Sequence, residues 1–368
     1  MEEQAAPHRH KYHLQKLKAW KYRNPWAFWG ILSAFIILVG CGIAGAVYYA
    51  TAPAKVDMTP IKVTKKPAPP APKFYSPLTG VPVKDEATTK QAATAIMIEN
   101  SPDARPQSGL KQAGVVYEAI AEGGITRFLA IYQEAKPQLI GPVRSVRMYY
   151  IDWAAPYNAS IAHIGGSAAA LAEVRNGNYR DIDQFFNAPY YWRASDRYAP
   201  HNVYTSFEKL DALNAKRGYT TSSFTGFARA DGKPVASPPA NRIDMTISGP
   251  TFNTHYDYDA KSNTYLRSVG GQASNDREEG RLSPSVVIGI KVDMARVMED
   301  GYRESIATTG SGSAVIFQNG TVIEGAWRKN SRAEQLEFVD VAGKPITLNR
   351  GQTWITAIPN SGGAISWQ

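Results

Sequence analysis

The apolar residues divide the chain into one long uncharged run and a larger part with short alternating segments. Residues 26–50 (WAFWGILSAFIILVGCGIAGAVYYA) contain no charged side chain. About 20 helical residues cross a bilayer core of about 30 Å, so this run predicts a transmembrane helix. Trp26 and Trp29 at one end, and Tyr48 and Tyr49 at the other, are typical of the two membrane interfaces.

Positive charge beside this run predicts its orientation. Six Lys or Arg residues lie in residues 1–25, and four lie in residues 51–66. Because the cytoplasmic side carries the excess of basic residues, we expect a basic cytoplasmic tail (1–25), a single-pass signal anchor (26–50) and an extracytoplasmic globular part. Residues 51–73 are rich in Pro, Ala and Lys and predict an extended linker.

The single cysteine of the chain lies inside the apolar run. Leu38-Val39-Gly40-Cys41 fits a lipoprotein-processing site, with Cys41 at the position that is lipidated. The apolar run continues beyond this site, so we expect an uncleaved anchor, with lipidation of Cys41 as the alternative. The exported part has no cysteine, and its core must therefore stabilise it without disulfides.

Beyond the linker, the pattern changes from mixed to mostly β. We predict an α/β (α+β) module at 74–225, a linker at 226–241 and a smaller, mostly antiparallel β module at 242–368. In the first module we predict strands at 95–99, 115–132 and 160–164, and helices at 145–155 and 167–175. In the second module, Asn319-Gly320 predicts a two-residue hairpin turn, and Trp327 and Trp354 are expected to pack in the core.

The distribution of charge argues against a nucleic-acid-binding protein. Residues 1–73 carry eleven Lys or Arg and three acidic residues, which is most of the net charge of +9. The globular part is nearly neutral, whereas a nucleic-acid reader carries its basic excess on the folded domain. The sequence also lacks phosphate-binding, dinucleotide-binding and zinc-binding motifs, so we expect no cofactor and no metal.

The first candidate site is a hairpin at 115–131 that turns at Gly123-Gly124. The regular register places Glu122 opposite Ile125 and predicts that Glu118, Glu122 and Arg127 project to one face. Two carboxylates beside a guanidinium are typical of a general acid/base pair with a positioning charge. An ion-pair cluster that stabilises the sheet, or a metal site with the arginine elsewhere, are the alternatives.

The second candidate site is the segment 141–147 (GPVRSVR), where Ser145 is a candidate N-cap. Arg144 and Arg147 would then lie at a helix N-terminus, which is unfavourable for cations unless an acidic group lies opposite. That group is either a phosphate or carboxylate of a ligand, or a carboxylate of the protein. Candidates in the chain are Glu118, Glu122 and Asp152.

The third candidate site is a strand that runs into a glycine turn and a capped helix, at 162–167 (AHIGGS). His163 is a candidate acid or base, and Gly165 and Gly166 allow the backbone to approach a ligand closely. Ser167, at the start of the capped helix, is a further candidate ligand-binding residue. The structural alternative is a hydrogen-bonded histidine beside a tight turn. A serine hydrolase that combines Ser167 with His201 and Asp181, Asp183 or Asp196 is disfavoured, because the spacing is short and the motif lacks its last glycine.

The fourth candidate site is the segment 190–204 (YYWRASDRYAPHNVY), which is dense in aromatic and charged residues. Sugars stack on aromatic rings and form hydrogen bonds to neighbouring polar groups. Alternatively, such clusters cover the edge of a core through cation–π contacts. The candidate ligand-binding residues are Trp192, Arg193, Arg197, His201 and Asn202.

Several segments together resemble one protein family. Pro77-Leu78-Thr79-Gly80, 98–110 (IENSPDARPQSGL), 115–132 (VVYEAIAEGGITRFLAIY), 140–154 (IGPVRSVRMYYIDWA), 163–167 (HIGGS), 200–205 (PHNVYT), 312–327 (GSAVIFQNGTVIEGAW) and 351–355 (GQTWI) are similar to the YerB-like family. These are bacterial envelope proteins, many of them lipoproteins, with a two-part domain of unknown function. The resemblance implies an exported, membrane-tethered α/β part followed by a β-rich part, and it brings no catalytic residues. The apolar run beyond Cys41 departs from the lipidated N-terminus that is usual in the family.

These observations favour a membrane-tethered envelope protein whose first module binds an acidic or sugar-containing ligand. An enzyme that acts on cell-wall glycan or phosphate-linked precursors, with Glu118, Glu122 or His163 as acid or base, is the second hypothesis. A protein-binding scaffold is the third. The pocket of the first hypothesis is lined by Glu118, Glu122, Arg127, Arg144, Arg147 and His163.

Overall fold

The computed structural model describes residues 8–52, 73–296 and 303–368. Residues 53–72 of the predicted linker, and residues 1–7 of the predicted tail, lie outside this range. The described residues fall into two compact units, one within Met1–Pro69 and one within Pro70–Gln368.

The described residues of the N-terminal unit form two helices, α1 (His8–Arg23) and α2 (Pro25–Thr51). They separate at Asn24, and Pro25 occupies the first turn of α2, where its missing N–H costs nothing. Within the described residues, α2 is the one helix that is long and apolar enough to cross a membrane. Its 27 residues extend about 40 Å at 1.5 Å per residue.

The globular unit contains two large sheets, of ten and five strands. In chain order their strands are β1 (Thr94–Glu99), β2 (Val115–Glu122), β3 (Ile125–Tyr132), β4 (Ser160–His163), β5 (Arg180–Asp183), β6 (Arg242–Thr246), β7 (Thr254–Asp259), β8 (Thr264–Val269), β9 (Gln272–Ala273), β10 (Val286–Val292), β11 (Gly310–Gln318), β12 (Thr321–Lys329), β13 (Glu337–Asp340), β14 (Thr353–Pro359) and β15 (Ala364–Trp367). The larger sheet has the order β13-β12-β11-β10-β14-β2-β3-β1-β4-β5, and the smaller one has the order β9-β8-β7-β6-β15.

Strand β14 joins the two halves of the chain in the larger sheet. It pairs in parallel with β10 on one side and with β2 on the other, so that Thr353 lies opposite both Val286 and Val115. All three strands are almost entirely buried and mostly apolar, as expected of strands covered on both faces. The segments 74–225 and 242–368 therefore share one continuous sheet.

The smaller sheet is antiparallel and packs on one face of the larger sheet. Strand β6, which lies between β7 and β15, alternates exposed and buried residues, which directs Ile243 and Met245 inward. These side chains pack with Ile120, Val287 and Phe317 of the larger sheet. Trp327 and Trp354 lie in the core as predicted, with 3 % and 0 % of their surface exposed.

Short helices and paired segments complete the unit. The α-helices are α3 (Glu86–Thr89), α4 (Met148–Ala154), α5 (Ala168–Asn176) and α6 (Phe207–Arg217). The 3₁₀ turns are Pro102–Ala104, Leu110–Gln112, Ala155–Tyr157, Gln184–Phe186 and Ala188–Tyr190. The two-stranded pairs are Phe74–Tyr75 with Pro82–Val83, Trp192–Arg193 with Val203–Tyr204, Arg229–Ala230 with Leu348–Asn349, Asn275–Asp276 with Gly280–Arg281, and Met294–Arg296 with Glu304–Ile306.

Helix α4 begins later than the sequence predicted. Its N-cap is Arg147, and the prediction of Ser145 as N-cap is wrong. The residues before it are extended because Val143 bridges to Ile98 of β1 and Val146 bridges to Gly166. Pairing with neighbouring backbone therefore replaces the predicted first helical turn.

The β2–β3 hairpin turns at Gly123-Gly124 as predicted, but its register is not regular. A β-bulge between Ile120 and Glu122 places Ala119, instead of Ile120, opposite Arg127. Because one extra residue reverses the alternation of side chains, Glu118 faces away from Arg127 and Glu122. The prediction that Glu118, Glu122 and Arg127 share one face is wrong.

Candidate functional site

Polar groups of the first half of the chain collect where three parallel strands end. Strands β1, β4 and β5 run parallel, and Glu99, His163 and Asp183 are their last residues. Open sheets commonly bind ligands at the carboxyl ends of such strands. Glu99, His163 and Asp183 therefore lie at an edge of the sheet that suits ligand binding.

Glu99 forms a buried cluster with three side chains from elsewhere in the chain. Its Oε1 lies 2.9 Å from Nδ1 of His201, and it accepts a hydrogen bond of 2.9 Å from Oγ of Ser101. Nε of Arg144 lies 3.2 Å from the same oxygen and forms an ion pair without hydrogen-bond geometry. Glu99 is only 3 % exposed, so it is a carboxylate held among a cation, a histidine and a hydroxyl.

The Glu99 carboxylate determines which ring nitrogen of His201 carries the proton. A carboxylate beside Nδ1 favours the proton on that nitrogen and leaves the lone pair on Nε2. Nε2 lies 3.9 Å from Oδ2 of Asp103, on the side of a cavity that both residues line. His201 therefore directs a basic nitrogen toward solvent-accessible space.

The cavity beside His201 has a volume of about 700 Å³. It is lined by Asp103, Arg105, Pro106, Asp196, Arg197, Tyr198, Ala199, His201 and Arg277. Three guanidinium groups face two carboxylates, which gives the lining a net positive charge. The residues come from both halves of the chain, since Arg277 follows β9 and the others precede α6.

The arginines of this cavity differ in how the protein holds them. Nη1 and Nη2 of Arg197 donate hydrogen bonds of 3.0 and 2.6 Å to the carbonyls of Asp103 and Pro106. Arg277 pairs at 2.6 Å with Asp196, and this hydrogen bond lowers the pKa of the Asp196 carboxyl. Arg197 therefore fixes a loop, whereas Arg277 is an exposed cation that pairs closely with Asp196 and, at 3.8 Å, with Glu278.

Arg105 connects the cavity to the buried residue Glu118. Nε of Arg105 donates to Oδ1 of Asn100 at 3.1 Å, and the Asn100 amide contacts Glu118 at 3.4 Å. Glu118 is fully buried, and its oxygens accept from Arg267 at 2.9 and 2.8 Å and from the indole N–H of Trp354 at 3.0 Å. Burial and the nearby charge of Arg267 lower the pKa of the Arg105 guanidinium.

Glu122 lies on the opposite face of the hairpin, in a second ion-pair cluster. Its two oxygens lie 2.6 Å from Nη2 of Arg127 and 2.6 Å from Nη2 of Arg147. Burial raises the pKa of Glu122, but the charges of both arginines lower it more, and the pKa lies below its usual value. Both guanidiniums also donate to backbone carbonyls, of Ser145 and Val146. Around Glu122 the hairpin therefore carries an ion-pair cluster that stabilises the sheet, which was the alternative to an acid/base pair.

His163 is enclosed by its hydrogen-bond partners. It is fully buried, with Nδ1 2.8 Å from the carbonyl of Gly165 and Nε2 2.9 Å from Oδ1 of Asp181. The Gly165 N–H donates to Asp183, and the Ser167 hydroxyl caps α5 by accepting from the N–H of Ala170. The polar groups at the glycine turn therefore form their hydrogen bonds within the protein.

The segment 190–204 contributes to the cavity with its second half. Trp192 is half-buried and stacks on Tyr204, and Asn202 holds the loop by donating to the carbonyls of Ala194 and Arg197. Tyr198 and His201 face the cavity. The structure thus brings Arg144, Arg197 and His201 together from two of the predicted sites, and leaves Glu118, Glu122 and His163 outside.

Glu99, Arg105 and Arg277 were not among the predicted site residues. Glu99 and His201 are 102 positions apart, so no local pattern relates them. One signal was available in the sequence, because Glu99 is the polar residue that ends an otherwise apolar strand (TAIMIE).

Comparison with known proteins agrees with this architecture. Residues 78–220 match the N-terminal domain, and residues 243–355 the C-terminal domain, of a family described as "Protein of unknown function (DUF3048)". "Putative lipoprotein YerB" of Bacillus subtilis (strain 168) is 33 % identical over 295 residues, which are 79 % of this chain and 88 % of the relative.

A crystal structure of the YerB protein from Bacillus subtilis is similar to this fold, with a TM-score of 0.71 and 29 % identity. The similarity covers 80 % of this chain and 100 % of that one. The α/β fold class and the family resemblance inferred from the sequence are confirmed. The chain belongs to the YerB-like family of DUF3048 proteins.

Proposed function

We propose that this chain is an envelope protein whose globular unit binds an anionic, sugar-containing polymer of the cell envelope. The cavity beside His201 carries the proposal, because three guanidinium groups line it together with the ring of Tyr198, which is 91 % exposed. Guanidiniums recognise phosphate and carboxylate groups, and an exposed aromatic ring stacks on the apolar face of a sugar.

The N-terminal helix supports attachment to the membrane. Helix α2 exposes apolar side chains along its whole length, which suits lipid contact. The larger number of basic residues before it supports a cytoplasmic N-terminus and an extracytoplasmic globular unit. Since α2 continues ten residues beyond Cys41, we propose an uncleaved anchor, with lipidation of Cys41 as the alternative.

Co-sedimentation of the full chain, in detergent, with isolated cell walls tests the proposed binding. Arg277→Ala removes the exposed cation of the cavity, and Arg242→Ala removes an exposed arginine on the smaller sheet as a matched control. A charged hydrogen bond contributes about 1.5–3 kcal/mol, so we expect the affinity of Arg277→Ala to fall about tenfold or more. Equal binding by the two variants, both melting cooperatively, would contradict the proposal.

A further inference from the structure

We infer that the Glu99–His201 pair is the general-base unit of a hydrolytic activity against phosphodiester bonds. This inference rests on the proposed function, because the substrate is the polymer bound in the cavity beside His201. Each part of it follows from the contacts of His201 and from the charge of the cavity.

His201 differs from the other two histidines of the globular unit. Both ring nitrogens of His163 have partners, Gly165 and Asp181. Both ring nitrogens of His255 also have partners, since they lie 2.8 and 3.0 Å from Asp244 and Asp257. Among the three histidines of the described globular unit, only His201 has a ring nitrogen without a hydrogen bond: its Nε2 faces the cavity, and the nearest carboxylate oxygen, from the exposed Asp103, lies 3.9 Å away. A general base needs such an accessible nitrogen.

Glu99 positions the imidazole. Its carboxylate is buried and lies 2.9 Å from Nδ1, and Ser101 and Arg144 hold the same oxygen. A carboxylate fixed in this way orients the ring and stabilises the imidazolium that forms when Nε2 accepts a proton. Replacement of Glu99 should therefore lower the rate of the chemical step and leave substrate binding unchanged.

Water is the nucleophile in this arrangement. The Ser101 hydroxyl lies 3.2 Å from Nδ1 of His201, on the side of the ring that faces Glu99. Nε2 therefore cannot activate this serine, and no hydroxyl or thiol side chain other than the Tyr198 phenol lines the cavity. A water molecule between Nε2 and the substrate is the remaining nucleophile.

The guanidinium groups of the cavity suit the negative charge of a phosphodiester. A phosphodiester carries one negative charge on two non-bridging oxygens, which Arg105 and Arg277 can contact from the two halves of the chain. The same cations stabilise the charge that develops on these oxygens when water adds to phosphorus.

The reaction balances without a further reactant. Nε2 of His201 takes a proton from water as the water oxygen bonds to phosphorus, and the bond from phosphorus to the leaving oxygen breaks. The leaving oxygen takes a proton from solvent, and the imidazolium returns its proton to solvent. The products are a phosphomonoester and an alcohol.

Hydrolysis of bis(4-nitrophenyl) phosphate by the full chain in detergent tests the inference. We expect wild-type release of 4-nitrophenol, a kcat at least about 100-fold lower in His201→Gln, and an unchanged KM. Glu99→Gln should also lower kcat at constant KM. The matched control is His255→Gln, which alters another histidine between carboxylates and should keep the wild-type rate. A solvent deuterium isotope effect of about two or more on the wild-type kcat is expected for proton transfer to Nε2 and requires no variant.

The outcomes separate this inference from the proposed function. If the wild type co-sediments with cell walls but releases no 4-nitrophenol, or if His201→Gln keeps the wild-type rate, the hydrolytic inference is overturned and binding stands. If Arg277→Ala leaves cell-wall binding unchanged, the proposed function itself fails. A loss of kcat in His201→Gln and Glu99→Gln but not in His255→Gln, with normal melting and normal cell-wall binding, supports both.

Discussion

Glu118 and Arg267 form an ion pair that is buried completely between the two halves of the chain. Nη2 of Arg267 lies 2.9 and 2.8 Å from the two oxygens of Glu118, and the side chains are 0 % and 1 % exposed. The guanidinium also lies 4.7 Å from the centre of the Trp354 ring. Since Glu118 belongs to β2 and Arg267 to β8, the pair connects the larger sheet to the smaller one.

Removing either partner leaves an uncompensated charge in the core. We expect Glu118→Leu or Arg267→Met to lower the free energy of unfolding by about 3–5 kcal/mol, measured by urea denaturation. The double variant should recover part of this loss, because it leaves neither charge behind. Single variants within about 1 kcal/mol of the wild type would show that the pair is not buried as described.

The Glu122 cluster predicts a pH dependence of stability. The pKa of Glu122 is lower in the folded chain than in the unfolded chain, so its contribution is present above the unfolded pKa of about 4.3 and is lost as the pH falls through the folded pKa. At pH 7 we expect Glu122→Gln to lower the free energy of unfolding by about 2–4 kcal/mol.

Urea denaturation at pH 7 and at pH 3 measures this difference, with Glu337→Gln, an exposed glutamate of β13, as the control. The destabilisation by Glu122→Gln should shrink at the lower pH. A difference that stays constant would argue against ion pairing with Arg127 and Arg147.

Local features of the fold could be predicted from the sequence, and long-range pairing could not. Ser167 caps the start of α5 as expected, because a cap acts on its own helix. The bulge before Glu122 leaves no apolar or turn signal, yet it moves Glu118 to the other face of the sheet. The position of β14 beside β2 depends on pairing between residues more than 200 positions apart, which no local periodicity encodes.

The contrast between local features and long-range pairing also applies to the candidate site. Arg144 was singled out by its expected place at a helix N-terminus, and His201 by its segment, which is dense in aromatic and charged residues. Their proximity to Glu99 follows from the tertiary fold, in which an extended segment at 143–146 lies beside β1 and the loop at 194–202 folds over its end. In the sequence, only the polar residues at the ends of apolar strands pointed to this site.

The hairpin between β11 and β12 predicts a steric effect at its turn. Asn319 and Gly320 have φ angles of 60° and 74°, and a Cβ on Gly320 would lie 2.6 Å from the ring of Tyr258. We expect Gly320→Ala to lower the free energy of unfolding by about 1–3 kcal/mol. Gly343→Ala is the matched control, since its φ is 79° but its Cβ would meet nothing closer than 4.0 Å. Equal losses in the two variants would show that only the backbone angle matters.

The most direct test of polymer binding is hydrogen–deuterium exchange of the full chain in detergent, with and without soluble polymer released from cell walls. Polymer in the cavity beside His201 should slow exchange at 103–106, 194–201 and 276–278, which line it or adjoin it. Arg277→Ala should remove this protection at the same polymer concentration. Bound polymer that protects another surface, such as the turn around the exposed Val341, and leaves these loops unchanged would contradict the account.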